Sequence, residues 1–186
     1  MRVSDAHDTR EFVYRVDAAD RITGVNKPWG EFAAENMAAE LSPNAVRGRP
    51  LWDFIANPEV RRLYELLFRK VRKSRKPVMI PFRCDSPSRR RFMQLVVSPE
   101  LGDTLEIACR IIREENRDTV TLLDLAQPRS DKTLEICSWC KLVRLTDTHW
   151  VEVEVALDVL GTALGPAWPR LVQGVCPECR HQLLAS

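Results

Sequence analysis

Residues 11–26 (EFVYRVDAADRITGVN) alternate between apolar and polar positions. Phe12 and Tyr14 share one side and Val13 takes the other, so a short strand is predicted, with Ala18-Ala19-Asp20 as a tight connection to a second. From residue 27 the period changes. Trp29, Phe32, Ala33 and Met37 fall at mostly helical spacing behind Pro28, a residue suited to a first helical turn. Pro43, Gly48 and Pro50 then restrict the chain to a loop or single turns. The clearest helix is 57–76. Asn57 is a good N-cap, Pro58 fits the first helical position, and Glu59 complements the positive helix end. Val60, Leu63, Tyr64, Leu67 and Val71 make one apolar stripe, with Arg61, Arg62, Arg69, Lys70, Arg72 and Lys73 on the other side. Three strands are predicted next, at 78–84, 91–98 and 104–113, separated by turns at 85–91 and at Gly102-Asp103. In the last strand Leu105, Ile107, Cys109 and Ile111 share one face while Glu106 and Arg110 take the other. An antiparallel sheet with one polar face and the long helix over its apolar face follows from this pattern.

Composition breaks at 114–132, where EENRD and QPRSDK flank the apolar TVTLLDLA. The flanks read as linker, and the apolar middle as a segment that docks as a short helix. Residues 134–186 form a second unit. The expected organisation is therefore a sensor-sized domain over 8–115, a linker over 116–133 and a small C-terminal domain over 134–186.

The 186 residues, 45% hydrophobic and 29% charged, are ordinary globular values. No apolar run approaches the ~18 residues of a membrane span, and MRVSDAHDTR has no apolar core of a secretory signal. A cytoplasmic protein with no membrane association is expected, and there six cysteines read as metal ligands or buried thiols rather than disulfides. The net charge of +2 hides an asymmetry. Residues 61–91 hold 12 Lys and Arg against Glu65 and Asp85, a local charge of +10. That block reads either as a solvated face or as an anion-facing surface.

The strongest chemical signal is Cys137-Ser-Trp-Cys140 paired with Cys176-Pro-Glu-Cys179. A two-residue gap lets both thiolates of a tight knuckle face one ion, and two knuckles complete a tetrahedron. The expectation is one structural Zn2+ on Cys137, Cys140, Cys176 and Cys179, with a single iron as the alternative ion. Four protein thiolates close the coordination shell, so catalytic zinc is not expected. The spacer between the pairs is 35 residues, longer than common ribbons, and must carry structure of its own; 148–160 (THWVEVEVALDVL) supplies strand then helix. The segment from ICSWCKLVRL to GVCPECRHQLL resembles a small zinc-binding module at the C-terminus of bacterial PAS and response-regulator proteins. That resemblance implies that the first pair sits on a strand-like knuckle and the second opens a short helix.

The order strand, strand, helices, long helix, three strands over 11–113 resembles a PAS domain. The residues carrying this are FVYRVDAADRITGVN, VRGRPLWDFI, the 57–76 helix and the closing strands. The resemblance implies an α+β fold, a five-stranded antiparallel sheet with helices on one face curled around a pocket, and a sensory role, commonly as a dimer. The inward groups expected at that pocket are Leu63, Tyr64 and Leu67 from the helix and Ile80, Phe82, Leu105, Ile107 and Cys109 from strands. A lining so apolar suits a small apolar or aromatic ligand, or a filled core. Cys84 and Cys109 read as buried small hydrophobes or as pocket thiols that sense oxidants. Of three histidines, His7, His149 and His181, none falls on the helix or sheet, so haem is not expected. The flavin-photoreceptor cysteine motif is missing too. No Ser/His/Asp set, phosphate loop or paired-carboxylate motif stands out. The reading is a non-enzymatic regulatory protein, a PAS sensor with a structural zinc module, acting on a protein partner or as a homodimer. The alternative is a nucleic-acid-binding regulator that uses the 61–91 block and the zinc unit.

Overall fold

The computed structural model describes residues 11–35, 38–124, 126–161 and 167–185. The N-terminal residues with His7, the first three residues of the expected 8–115 domain, and Met37 lie outside the described residues. The chain is mixed α+β with two sheets and divides into two compact units. The first takes the described chain to Pro81 together with Met93–Arg113; the second takes Phe82–Phe92 and Glu114–Ala185.

The first sheet has five strands: β1 (Glu11–Val16), β2 (Ile22–Val25), β3 (Val78–Arg83), β4 (Arg89–Pro99) and β5 (Leu105–Asn116), in the order β2-β1-β5-β4-β3. β1 pairs antiparallel with β2 and with β5, Phe12 opposite Cys109 and Tyr14 opposite Ile107. The β3–β4 and β4–β5 neighbours are joined by short hairpins, which only antiparallel strands allow. The turn between β1 and β2 is built by Asp17, whose Oδ1 accepts the N–H groups of Ala19 and Arg21 at 2.9 Å, with Asp20 in the left-handed region at φ 57°. Helices α1 (Lys27–Glu35) and α2 (Pro43–Val46) and two single 3-10 turns, Ala39–Leu41 and Leu51–Phe54, follow.

Helix α3 (Pro58–Ser74) starts where its signals place it. Asn57 Oδ1 accepts the N–H groups of Glu59 and Val60 at 2.9 and 3.0 Å. It ends two residues before the expected 76. Arg75 turns left-handed at φ 55° and its N–H closes on Val71 O, while Lys76, preceding proline, is disfavoured in a helix. Val60, Leu63, Leu67, Phe68 and Val71 are buried. Phe68, outside the predicted stripe, is fully buried and meets the rings of Trp52 and Tyr64 at 5.9 and 6.0 Å.

In the second unit β6 (Arg129–Cys137) pairs parallel with β9 (Trp168–Gly174) and antiparallel with β7 (Val143–Arg144), which pairs with β8 (Trp150–Val151). A parallel pair needs a crossover, and β7, β8 and helix α4 (Val153–Leu160) provide it. The core is Val120, Leu122, Ile136, Val143, Val153 and Ala156. Residues 116–133 are thus not a linker. Their apolar middle forms the 3-10 turn Thr121–Leu123 and buries Val120 and Leu122, and their end begins β6. The apolar middle thus docks as a short helical turn, as expected, while the flank read as linker starts a strand.

Candidate metal centre

Two local structures bring the four cysteines together. Cys137 is the last residue of β6, and its N–H donates to Leu142 O at 2.8 Å across the knuckle Cys137–Cys140. Lys141 leaves that knuckle in the left-handed region at φ 63°, and its Nζ donates to Ser138 O at 2.8 Å. Parallel pairing sets Cys137 opposite Gly174, two residues before Cys176. Cys176-Pro177 then opens helix α5 (Pro177–Ala185), with proline pre-set for the first turn. Cys179 donates its N–H to Cys176 Sγ at 3.4 Å, so the sulfur caps the helix. The strand-end knuckle, the parallel crossover and the helix start together carry the four cysteines to one place.

The four sulfurs all lie within 4.8 Å of one another, and Cys140 Sγ is 3.6 Å from Cys176 Sγ. A tetrahedral ion with sulfurs at ~2.3 Å sets them about 3.8 Å apart, so the cluster is of the right size. Cys137, Cys176 and Cys179 are buried. The donor set suits zinc or a single iron. Cys176 N–H donates to Cys137 Sγ at 3.4 Å. Hydrogen bonds from the Cys140 and Cys179 thiols and from backbone N–H groups hold Cys137 far below its ordinary pKa. Sharing that bond pushes Cys140 up to about 12 and Cys179 well above its usual value. A divalent ion would supply the positive charge that four thiolates at this separation require.

The sequence reading missed what surrounds this cluster. Arg83, 8% exposed, lies in the basic block yet is internal to the second unit. Its backbone N–H donates to Trp139 O, within the first knuckle, at 2.6 Å. Its guanidinium bonds Asp85 at 2.5 Å and Glu152 at 2.7 Å. Arg117 pairs with Asp85 and Glu154, both at 3.3 Å, and Arg90 reaches Glu154 at 2.9 Å. Three cations and three carboxylates therefore join the β3–β4 hairpin end, the chain after β5 and the start of α4. Burial pushes Lys141 below its ordinary pKa, against the opposing pull of Cys84, Cys137, Asp85 and Cys140. No local pattern announces this network, because its partners are up to 69 residues apart.

The expected pocket residues divide. Leu63, Leu67, Ile80, Leu105 and Ile107 are buried in the first unit. Tyr64 and Cys109 are grouped there with Tyr14, which the sequence reading left out of the lining; burial, and after it Tyr64 and Cys109 for Tyr14 and Cys109 for Tyr64, raises both tyrosine pKa values. Phe82 belongs to the second unit rather than with Ile80, because β3 runs on into that unit, where the Phe82 side chain is half-buried.

No family model matches the chain, and no curated protein matches it. Among solved structures, a domain of an HTR-like protein from Haloarcula marismortui is similar over 55% of this chain and 98% of that domain, at a TM-score of 0.37 and 15% identity. A likeness at that level carries no argument about activity. Among the described residues, no helix is long and apolar enough to cross a membrane.

Proposed function

We propose that the chain is a cytosolic regulatory protein that works by binding, a PAS-type sensor whose second unit is held by one structural zinc ion. The observation carrying this reading is the set of four sulfurs within 4.8 Å, supplied wholly by the chain. Such a shell leaves no position for water or substrate, so the ion would act on folding and not on a reaction. Its ligands would be Cys137, Cys140, Cys176 and Cys179. The PAS reading is supported by the five-stranded sheet built from two strands, helices and three strands in that order. Signalling would pass by protein contact, between two copies of the chain or to a separate partner.

The first unit would take a small aromatic or apolar ligand. Tyr14, Tyr64 and Cys109 are its polar handles, the two phenols as hydrogen-bond donors. A ligand at 100 times its dissociation constant stabilises the folded state by about 2.7 kcal/mol. A thermal-shift screen of small aromatic compounds should find a stabilising member whose effect is lost in Tyr64→Ala. Stabilisation by a phosphorylated compound, lost in the same variant, would contradict this chemistry.

A further inference from the structure

The basic block splits at Pro77. In its second half Arg83 and Arg90 bond the carboxylates already described, and Arg89 and Arg91 both bond Glu114. In its first half Arg61 bonds Glu65, and Arg72 bonds Asp20 at 2.7 Å while donating to the carbonyls of Asp17 and Asp103. Arg62, Arg69, Lys70 and Lys73 are exposed and pair with no carboxylate among the described residues. At about 100° per residue, Arg62, Arg69 and Lys73 lie within about 40° of one another, directly opposite Val60, Leu67 and Val71. At ~1.5 Å per residue they run along about 16 Å of α3, with Lys70 beside them. Arg75, anchored to Gly102 O at 2.9 Å, extends the positive field past the helix end. Within one run of sequence, six of the twelve cations bond carboxylates, and four of the other six lie along the exposed side of α3.

We propose that this face of α3 binds the phosphate backbone of duplex nucleic acid without reading its sequence. Duplex DNA carries one phosphate charge per ~1.7 Å of its axis, so a line of cations about 16 Å long faces a dense, regular row of anions. A protein partner is disfavoured because the face carries one apolar residue, Leu66, only 36% exposed, and no aromatic anchor. An anionic membrane is disfavoured because the apolar side of α3 is already buried in the first unit and is not available for insertion. Single strands are disfavoured because no exposed ring stands among the four cations to stack on bases. The inference is independent of both the zinc ion and the ligand pocket.

The test is fluorescence anisotropy of a labelled 25-base-pair duplex with the zinc-replete full chain between 50 and 200 mM KCl. Four phosphate contacts give a log–log slope of about −3.6, a loss of about 150-fold across that range. Replacing all four, Arg62→Gln, Arg69→Gln, Lys70→Gln and Lys73→Gln, should abolish binding at 50 mM. Arg69→Gln alone should flatten the slope by about 0.9. Arg170→Gln, an exposed cation of the second unit, should change nothing. Three results would overturn the proposal: no duplex binding at 50 mM KCl, binding unaffected by the fourfold variant, or equal competition, charge for charge, by polyglutamate or phosphatidylserine vesicles.

Discussion

At the scale of single residues, two arginines from the same basic run have opposite duties. Arg83 is 8% exposed and joins Asp85, whose side chain is 2% exposed, to Glu152. Arg62 is exposed on α3. Breaking a buried pair strands its partner, so Arg83→Met should lower stability by about 3 kcal/mol, at the low end because Arg117 still reaches Asp85. Arg62→Ala should stay within about 0.5 kcal/mol. Urea melts of the two variants at one pH check this, and equal midpoints would place Arg83 at the surface. That difference was invisible in the sequence. A run of cations has no periodicity that marks Arg83 as buried, and the carboxylate that engages it from the residue before α4 is 69 residues away. The four cysteines were visible because metal-ligand spacing is a local property of each knuckle, and only the 35-residue spacer between them needed the fold.

At the scale of elements, α3 was the most legible part of the chain, since its cap, first turn and stripe all lie within one short segment. Its face assignment has a direct test. Leu67, 5% exposed, should cost about 2–5 kcal/mol as Leu67→Ala, and Asn57→Ala should cost about 1 kcal/mol through the lost cap. Arg69→Ala, on the opposite face, should leave the urea midpoint almost unchanged. The strands were legible in position but less so in reach. Alternation set their faces, yet β4 and β5 run beyond the predicted 91–98 and 104–113 to Arg89–Pro99 and Leu105–Asn116. Four of the six added residues are charged, and the extension is held by Arg89 and Arg91 on one strand pairing with Glu114 on the next. Residues 116–133 illustrate the converse. The flank QPRSDK read as linker, yet β6 begins within it at Arg129, while the apolar middle docks as expected and its Val120 and Leu122 complete a core whose other members come from β6, β7 and α4.

At the scale of the whole molecule, two compact units share one continuous chain, and the second unit draws on Phe82–Phe92 as well as on Glu114–Ala185. Its main apolar cluster is small, with Val120, Leu122, Ile136, Val143, Val153 and Ala156 as its buried members, so an ion tying the end of β6 to the start of α5 would add what that cluster does not supply. Metal content after purification under reducing conditions tests this most directly, measured on the wild-type chain and on Cys176→Ser. Serine keeps an oxygen at the helix cap, so the variant removes a metal ligand while preserving the start of α5. The account predicts one zinc ion per wild-type chain, and for Cys176→Ser a weakened site together with proteolytic sensitivity confined to the second unit. A freshly reduced wild-type chain that carries no metal, or a Cys176→Ser chain that keeps a full equivalent of zinc, would contradict it.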